Sequence, residues 1–274
     1  MDAMFDLVAE ASEDDLLKHA AHLMWAVGVV VLFVEMNPLG YPIVAPYGRH
    51  SIDNPFASWC GPLISAKAAW LLQECWSCLV PLALMSFAKP ECLASLPNRV
   101  LLALYVGHYA YRAFIYPLRM RGGKPMPIGI CALAATFCAY NGFIQGRLWT
   151  AASLRTLDSP YDTATFYGGV VLWAIGLGIN VHSDGVLRGL RKPGETGYKI
   201  PKGGVFEFVT GANYFGETLE WCGYALASQH IVAVAFAVFT FCNTGPRAYH
   251  HHVWFLSRFQ EYPENRRVLI PFIW

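Results

Sequence analysis

The stretch Ile64–Phe87, ISAKAAWLLQECWSCLVPLALMSF, decides how the rest of the chain is read. It is apolar enough to cross a bilayer, for which roughly 20 residues suffice, yet it carries Gln73 and Glu74 near its middle. An ionisable side chain at membrane mid-depth is expensive, so by default it faces a bundle interior and marks a functional position. Glu74 therefore points to a polar chamber inside a membrane protein.

Composition agrees. Of the 274 residues, 55% are hydrophobic and only 14% charged, where soluble domains carry roughly 25% charge. So little charge cannot cover a soluble protein of this size, and most of the outside must face lipid. Six further stretches approach spanning length: Leu16–Met36, Val100–Tyr116, Pro127–Leu148, Thr165–Val181, Phe206–Ser228 and His230–Tyr249. No internal repeat or low-complexity linker divides the chain. The expected fold is all-α, one polytopic domain over residues 1–274 with seven transmembrane helices around a buried cavity.

Loop charge orients the spans. One side would hold Arg49, then Arg119, Arg121 and Lys124, then Arg188, Arg191, Lys192, Lys199 and Lys202, then Arg247 and the tail. The other side would hold the acidic N-terminal segment, Lys89, Arg99, Arg147 and Arg155. The positive-inside rule puts the first set in the cytoplasm and the N-terminus on the extracytoplasmic side. Met1–Asp15 is acidic where a secretory leader is basic, so the first apolar stretch is expected to remain as a span. The net charge of +1 says nothing about nucleic acid, and no basic patch interleaved with aromatics suggests it as a partner. Most of the eight cysteines, the Cys75-x-x-Cys78 pair included, sit in apolar stretches and read as small core side chains.

Polar residues recur at helical spacing inside the other spans. Tyr109 and Arg112 are three apart and Tyr109 and Tyr116 seven apart, which in a regular helix shares a face. A carboxyl group in a low-dielectric site stays protonated and donates a hydrogen bond. A tyrosine beside it supplies a second donor. Two convergent donors, Glu74 and Tyr109, suit a carbonyl oxygen that gains negative charge during reaction. Asn180, Asp184, Arg188 and Arg191 are spaced four, four and three apart at a membrane exit, which predicts one helical face. A Pro193-Gly194-Glu195 turn follows, then Tyr198 and Lys199, and cations gathered at such a mouth suit a phosphorylated ligand. Asn213, Glu217 and Glu220 line one face of an apolar stretch, too costly to turn toward lipid. Arg247, His251 and Phe255 form a stripe at the end of the last span. His250, His251 and His252 are adjacent and so diverge around a helix, and no metal site is expected from them. No dinucleotide-binding glycine motif follows a strand, and neither a P-loop nor a Gly-x-Ser-x-Gly elbow occurs. Gly176-Leu177-Gly178, inside a span, reads as helix packing.

Together these segments resemble the membrane steroid 5α-reductase family. The tail RAYHHHVWFLSRFQEYPENRRVLIPFIW (247–274) looks like that family's C-terminal signature. NVHSD (180–184), RKPGE (191–195), YKIP (198–201) and GANYFGETLE (211–220) match in order and at similar spacing. WLLQE (70–74) and HYAYRAFIY (108–116) match its substrate end, and the resemblance runs from about residue 47 to 274. It is nearer to the testosterone-reducing branch than to the polyprenol or enoyl-thioester reductases. It implies a seven-helix enzyme that reduces the Δ4 double bond of a 3-oxo steroid with NADPH. Glu74 and Tyr109 would hold the 3-keto oxygen, with Trp70, Gln73 and Arg112 also at the substrate. Asn180, Asp184, Arg191, Tyr198, Lys199, Asn213, Glu217, Arg247, His251 and Phe255 would face the cofactor. Phe255 stands where relatives often have tyrosine, and Lys199 where some have arginine. The implied partners are a steroid-like lipid and the bilayer, with no obligate protein partner. Two neighbouring readings are a reductase of polyprenols or enoyl thioesters and, more distantly, an isoprenylcysteine-type methyltransferase.

Overall fold

A computed structural model describes residues 12–37, 57–191, 195 and 197–274. The expectations placed on Asp2, Asp6, Glu10, Arg49, Lys192 and the Pro193-Gly194 turn lie outside these residues. The main helices are α1 Glu13–Met36, α2 Ala66–Leu84, α3 Leu96–Ala110, α4 Ile128–Arg147, α5 Pro160–Gly189, α6 Ala212–Ser228 and α7 Ile231–Arg258. Among the described residues, five helices are long and apolar enough to span: α1, α2 extended to Phe87, α4 extended to Ala152, α5 and α7. Large apolar side chains such as Val30, Phe33, Leu133 and Val171 are exposed, while Gln73, Asn141, Asn180 and Glu220 are buried. Apolar outside with polar inside is the arrangement of an integral membrane protein.

The two remaining apolar stretches depart from plain helices. The stretch at Val100–Tyr116 continues α3 through a wide π turn, Tyr111–Ile115, and a last turn, Tyr116–Arg119. The one at Phe206–Ser228 becomes helical only at Ala212. Gly203 and Gly204 both take positive φ, 93° and 59°, which starts a 3-10 turn over Gly204–Glu207. The backbone groups that follow are engaged by the C-terminal tail instead. Thr210 N donates to Arg267 O at 2.9 Å, Gly211 N to Val268 O at 3.0 Å and Arg267 N to Phe208 O at 2.8 Å. Conversely α5 runs on to Gly189 and stops there, so Arg191 follows the helix rather than extending the face of Asn180 and Asp184.

The chain folds as two compact units. The first, residues 1–23, 43–163 and 230–232, holds α2, α3 and α4. A short antiparallel pair, Leu63–Ile64 with Met126–Pro127, aligns the starts of α2 and α4. The two helices then run parallel, as Cys131 Sγ donates to Ala69 O at 3.6 Å and Ser77 Oγ to Cys138 O at 3.1 Å. Gly142 and Gly146 let α4 lie against α2, because a Cβ there would sit 3.0 Å from Trp76 O and from Pro81 Cα. At the far end Asn98 Nδ2 donates to Trp149 O (3.0 Å) and Ser153 O (2.8 Å), tying α3 to the extension of α4.

The second unit holds residues 24–42, 164–229 and 233–274. Its centre is a seam of glycines between α5 and α6. A Cβ on Gly169 would come within 2.3 Å of Ala227 N, on Gly176 within 2.3 Å of Glu220 N, and on Gly223 within 2.3 Å of Trp173 N. Bare backbones therefore touch, and this close approach sets the heights of the polar residues that α5 and α6 carry. The tail closes this unit, with Leu269 and Ile270 donating to the Trp274 carbonyl at 2.8 and 2.7 Å.

Candidate active site

In the first unit the residues expected at the substrate stand on α2, α3 and the π turn. Ser65 caps α2 by accepting from Ala68 N at 3.3 Å, which starts the helix one turn before Trp70. Gln73 is buried and Glu74 half-buried. Tyr109, in the last turn of α3, is buried, with its ring 4.9 Å from those of Tyr105 and His108. Arg112 belongs to the π turn, where Tyr116 N reaches back five residues to Tyr111 O. Such turns rotate the following residues relative to a regular helix and cluster at functional sites. The Arg112 guanidinium lies against two rings, its central carbon 4.8 Å from the Trp70 centroid and 4.6 Å from that of Tyr116. Those rings meet edge-on at 5.3 Å. Trp70 and Arg112 are thus brought together, and α2 packs on both α3 and the π turn.

In the second unit Asn180 of α5 and Asn213 of α6 meet across the glycine seam, Asn180 Nδ2 donating to Asn213 O at 3.0 Å. Asn180 and Ser183 are 0% exposed, yet Asn180 Oδ1 and Ser183 Oγ have no hydrogen-bond partner among the described residues. Buried polar atoms in that condition call for a ligand or an ordered water. Asp184 and Arg247 are also buried, and Glu217 is half-buried. His251 stacks on Tyr214 at 6.0 Å and 5°, with Tyr214 Oη 3.4 Å from its Nε2. The loop residues differ in kind. Arg191, Tyr198 and Lys199 are exposed; the Arg191 guanidinium lies 5.8 Å from the Tyr198 ring, that ring rests edge-on against Trp254 at 4.7 Å, and Lys199 pairs with Glu195 at 2.5 Å.

Phe255 is part of the packing. It is buried and stacked on Tyr262 at 5.3 Å and 13°, with Trp254 and Phe259 at its edges. Tyr262 in turn joins a network the sequence reading missed: Thr210 Oγ1 lies 2.6 Å from both Tyr262 Oη and His252 Nδ1. Arg266, almost fully buried, donates to Pro201 O at 2.9 Å. Thr210, Tyr262 and Arg266 stand in loops and the tail, with no helical period to mark them. The adjacent histidines diverge: His250 faces Glu35 O at 3.1 Å, His251 stacks on Tyr214 and His252 meets Thr210. Among the described residues no group of three His, Cys, Asp or Glu is placed to hold a metal ion.

Comparison with known proteins bears on both sets. The family profile described as 3-oxo-5-alpha-steroid 4-dehydrogenase matches residues 124–274. The chain is 45% identical over 262 residues to 3-oxo-5-alpha-steroid 4-dehydrogenase 1 of Homo sapiens, covering 96% of this chain and 97% of that one. The Bos taurus protein of the same name is 46% identical over 266 residues, with 96% and 99% covered. The human 3-oxo-5-alpha-steroid 4-dehydrogenase 2 is 41% identical over 265 residues, with 96% and 98% covered. Likeness of this depth along nearly the whole length includes the α2, π-turn, α5 and α6 segments just described, and with the family profile it is decisive: the chain belongs to the 3-oxo-5-alpha-steroid 4-dehydrogenase family.

Proposed function

We propose that this protein reduces the Δ4 double bond of 3-oxo steroids, with NADPH as reductant, as a seven-span single domain over residues 1–274. The observation that carries the reading is the sheltering of Gln73, Tyr109 and Arg112, each under a tenth exposed, beside Glu74 in apolar helices. Water is kept from a group of donors suited to a ketone. Under this reading the Glu74 carboxyl, in its acid form, and the Tyr109 phenol both donate to the 3-keto oxygen. NADPH, when bound, supplies the hydride that the β-carbon, C5, accepts. As C5 is reduced, negative charge develops on the 3-oxygen, and donors already in place stabilise it without reorganising. A proton reaching C4 restores the ketone. Arg112, clamped by Trp70 and Tyr116, keeps α2 and the π turn in register so that the two donors converge, and its charge adds to the field at the developing enolate.

The residues of the second unit suit the dinucleotide. Asn180 Oδ1 and Ser183 Oγ are buried and open to a polar group. Asn213, Glu217, Arg247 and His251 line neighbouring turns of α6 and α7, and Asp184 follows Asn180 by one turn. Arg191, Tyr198 and Lys199, outside the helices, suit phosphate. The exchange of tyrosine for Phe255 removes a hydroxyl from the cofactor side, and the exchange of arginine for Lys199 keeps charge without a bidentate fork.

Oxidation of NADPH dependent on a 3-oxo-Δ4 steroid, followed in protein purified with lipid, tests the activity against panels of polyprenols and enoyl thioesters. Glu74→Gln and Tyr109→Phe should each lower turnover on the order of 10²–10³-fold while NADPH still binds. Near-normal turnover in both variants would remove these residues from the mechanism.

A further inference from the structure

Nearly every polar atom buried in a protein interior has a hydrogen-bond partner. In the first unit α4 breaks this rule twice at one place. Asn141 and Gln145, one helical turn apart, are both 0% exposed. Gln145 Nε2 donates to Val232 O at 3.2 Å and, more weakly, to Asn141 Oδ1 at 3.4 Å. These bonds fix the sense of both amides, since turning Asn141 over would set two NH2 groups against each other. What remains is one donor and one acceptor: Asn141 Nδ2 and Gln145 Oε1 have no partner among the described residues. Leaving a single buried amide group unpaired costs at least as much as a hydrogen bond contributes, and here two adjacent groups are left so.

The pair is neutral, so it selects no ion. It is complementary to a group that accepts one hydrogen bond and gives another. A ketone satisfies Asn141 and leaves Gln145 Oε1 bare; an apolar ring satisfies neither. Its height in the bundle also fits. Ser77 of α2 bonds to Cys138 of α4, Glu74 lies three residues before the one, and Asn141 three residues beyond the other. Because α2 and α4 run parallel, Glu74 and Asn141 differ in level by about six residues of helix rise, or roughly 9 Å. That is within the length of a fused four-ring skeleton.

We propose that Asn141 and Gln145 form an amide subsite that takes a ligand group carrying both an acceptor and a donor. Two sources offer that chemistry: a hydroxyl at the end of the substrate remote from its ketone, and the primary carboxamide of a nicotinamide. The proposal rests on the reductase reading above, deepening it to substrate or cofactor discrimination. It makes Asn141 and Gln145 determinants of which ligand is held, not of the chemical step.

The test uses the full chain in nanodiscs and four probes in two pairs. One pair is a 17-hydroxy 3-oxo-Δ4 steroid and its 17-deoxy counterpart. The other is NADP and its 3-acetylpyridine analogue, in which a methyl group replaces the amide NH2. Dissociation constants and ligand-induced thermal shifts are read for the parent, Asn141→Leu and Gln145→Met. Without ligand, Asn141→Leu should melt close to the parent, because it removes a buried amide with an orphan donor. One intact probe should bind roughly tenfold more weakly to both variants, while its pared-down partner binds them as it binds the parent. The pair that responds identifies the source. Equal losses for both members of each pair, or no loss at all, overturn the subsite and leave the two amides as hosts of a buried water. If Asn141→Leu does not fold, Gln145→Met decides alone. A parent that binds none of the four probes sinks the reductase reading and this inference with it, whereas binding by the parent with unselective variants sinks the inference only.

Discussion

The two ring nitrogens of His230 have different partners. Nδ1 accepts from Val232 N at 3.2 Å, while Nε2 lies 3.0 Å from Asp14 Oδ1. Only the neutral ring with its proton on Nε2 serves both. Burial holds the imidazole below its ordinary value of 6.5, and the nearby Asp14 carboxylate opposes that shift without cancelling it. A histidine depressed in the folded state stabilises the fold fully above its unfolded value and loses that contribution as pH falls through it. The apparent melting temperature should therefore drop as pH is lowered from 7.5 to 5.5 through the ordinary histidine range, and His230→Gln should flatten the slope. An unchanged slope in the variant would rule His230 out as the titrating group. Other single residues show how far composition alone carries a reading. Glu74 was legible because a carboxylate in an apolar stretch needs no partner to be conspicuous. Arg112 was legible as buried, but its cation–π clamp, of the order of 1–2 kcal/mol in such a desolvated place, depends on Trp70 from another helix. Asn141 and Gln145 had the same signal as Glu74, four residues apart in an apolar stretch, and the same argument would have found them.

At the scale of elements, glycine spacing matters more than glycine content. Gly169 and Gly176 on α5, and Gly216 and Gly223 on α6, recur at seven residues and face one another across the seam. Gly178, two residues beyond Gly176, has nothing within 4 Å of where a Cβ would lie. The Gly176-Leu177-Gly178 pair read as packing is therefore half packing and half open surface. Gly176→Ala must push α5 from α6 and should cost 1–3 kcal/mol or more, lowering the melting temperature or preventing assembly. Gly178→Ala should be neutral or stabilising by up to about 1 kcal/mol. Matching thermal profiles of the two variants would show that the seam is not as tight as described. The seven-residue spacing is present in the sequence. What the sequence does not display is the π turn at Tyr111–Ile115, since no residue there announces a bond from i to i+5, and regular spacing places Arg112 and Tyr116 without it.

For the whole molecule, the loop charges argue that the N-terminus is extracytoplasmic and the C-terminus cytoplasmic. Protease protection of tags at the two ends, in sealed vesicles of known orientation, should find them on opposite sides. Tags on the same side would require an even number of crossings and would end the seven-span arrangement. Among the described residues five helices satisfy length and hydropathy, and the other two apolar stretches fall short for physical reasons. α6 carries Asn213, Glu217 and Glu220 on one face and is only 17 residues long, so averaging over its circumference hides an apolar outer side. α3 is divided from its continuation by the π turn. The sequence by itself determined the membrane class, the position of most helices and the polar residues that a bilayer would not tolerate. These follow from transfer free energy and helical period, which act within a single stretch of chain. Only the tertiary structure decided that Arg112 lies against both Trp70 and Tyr116, that Thr210 joins His252 to Tyr262, and that Asn141 and Gln145 keep one donor and one acceptor in reserve. Each of these depends on atoms brought together from separate helices or loops, and hydrogen bonds and ring contacts act over a few ångströms in space whatever the distance along the chain.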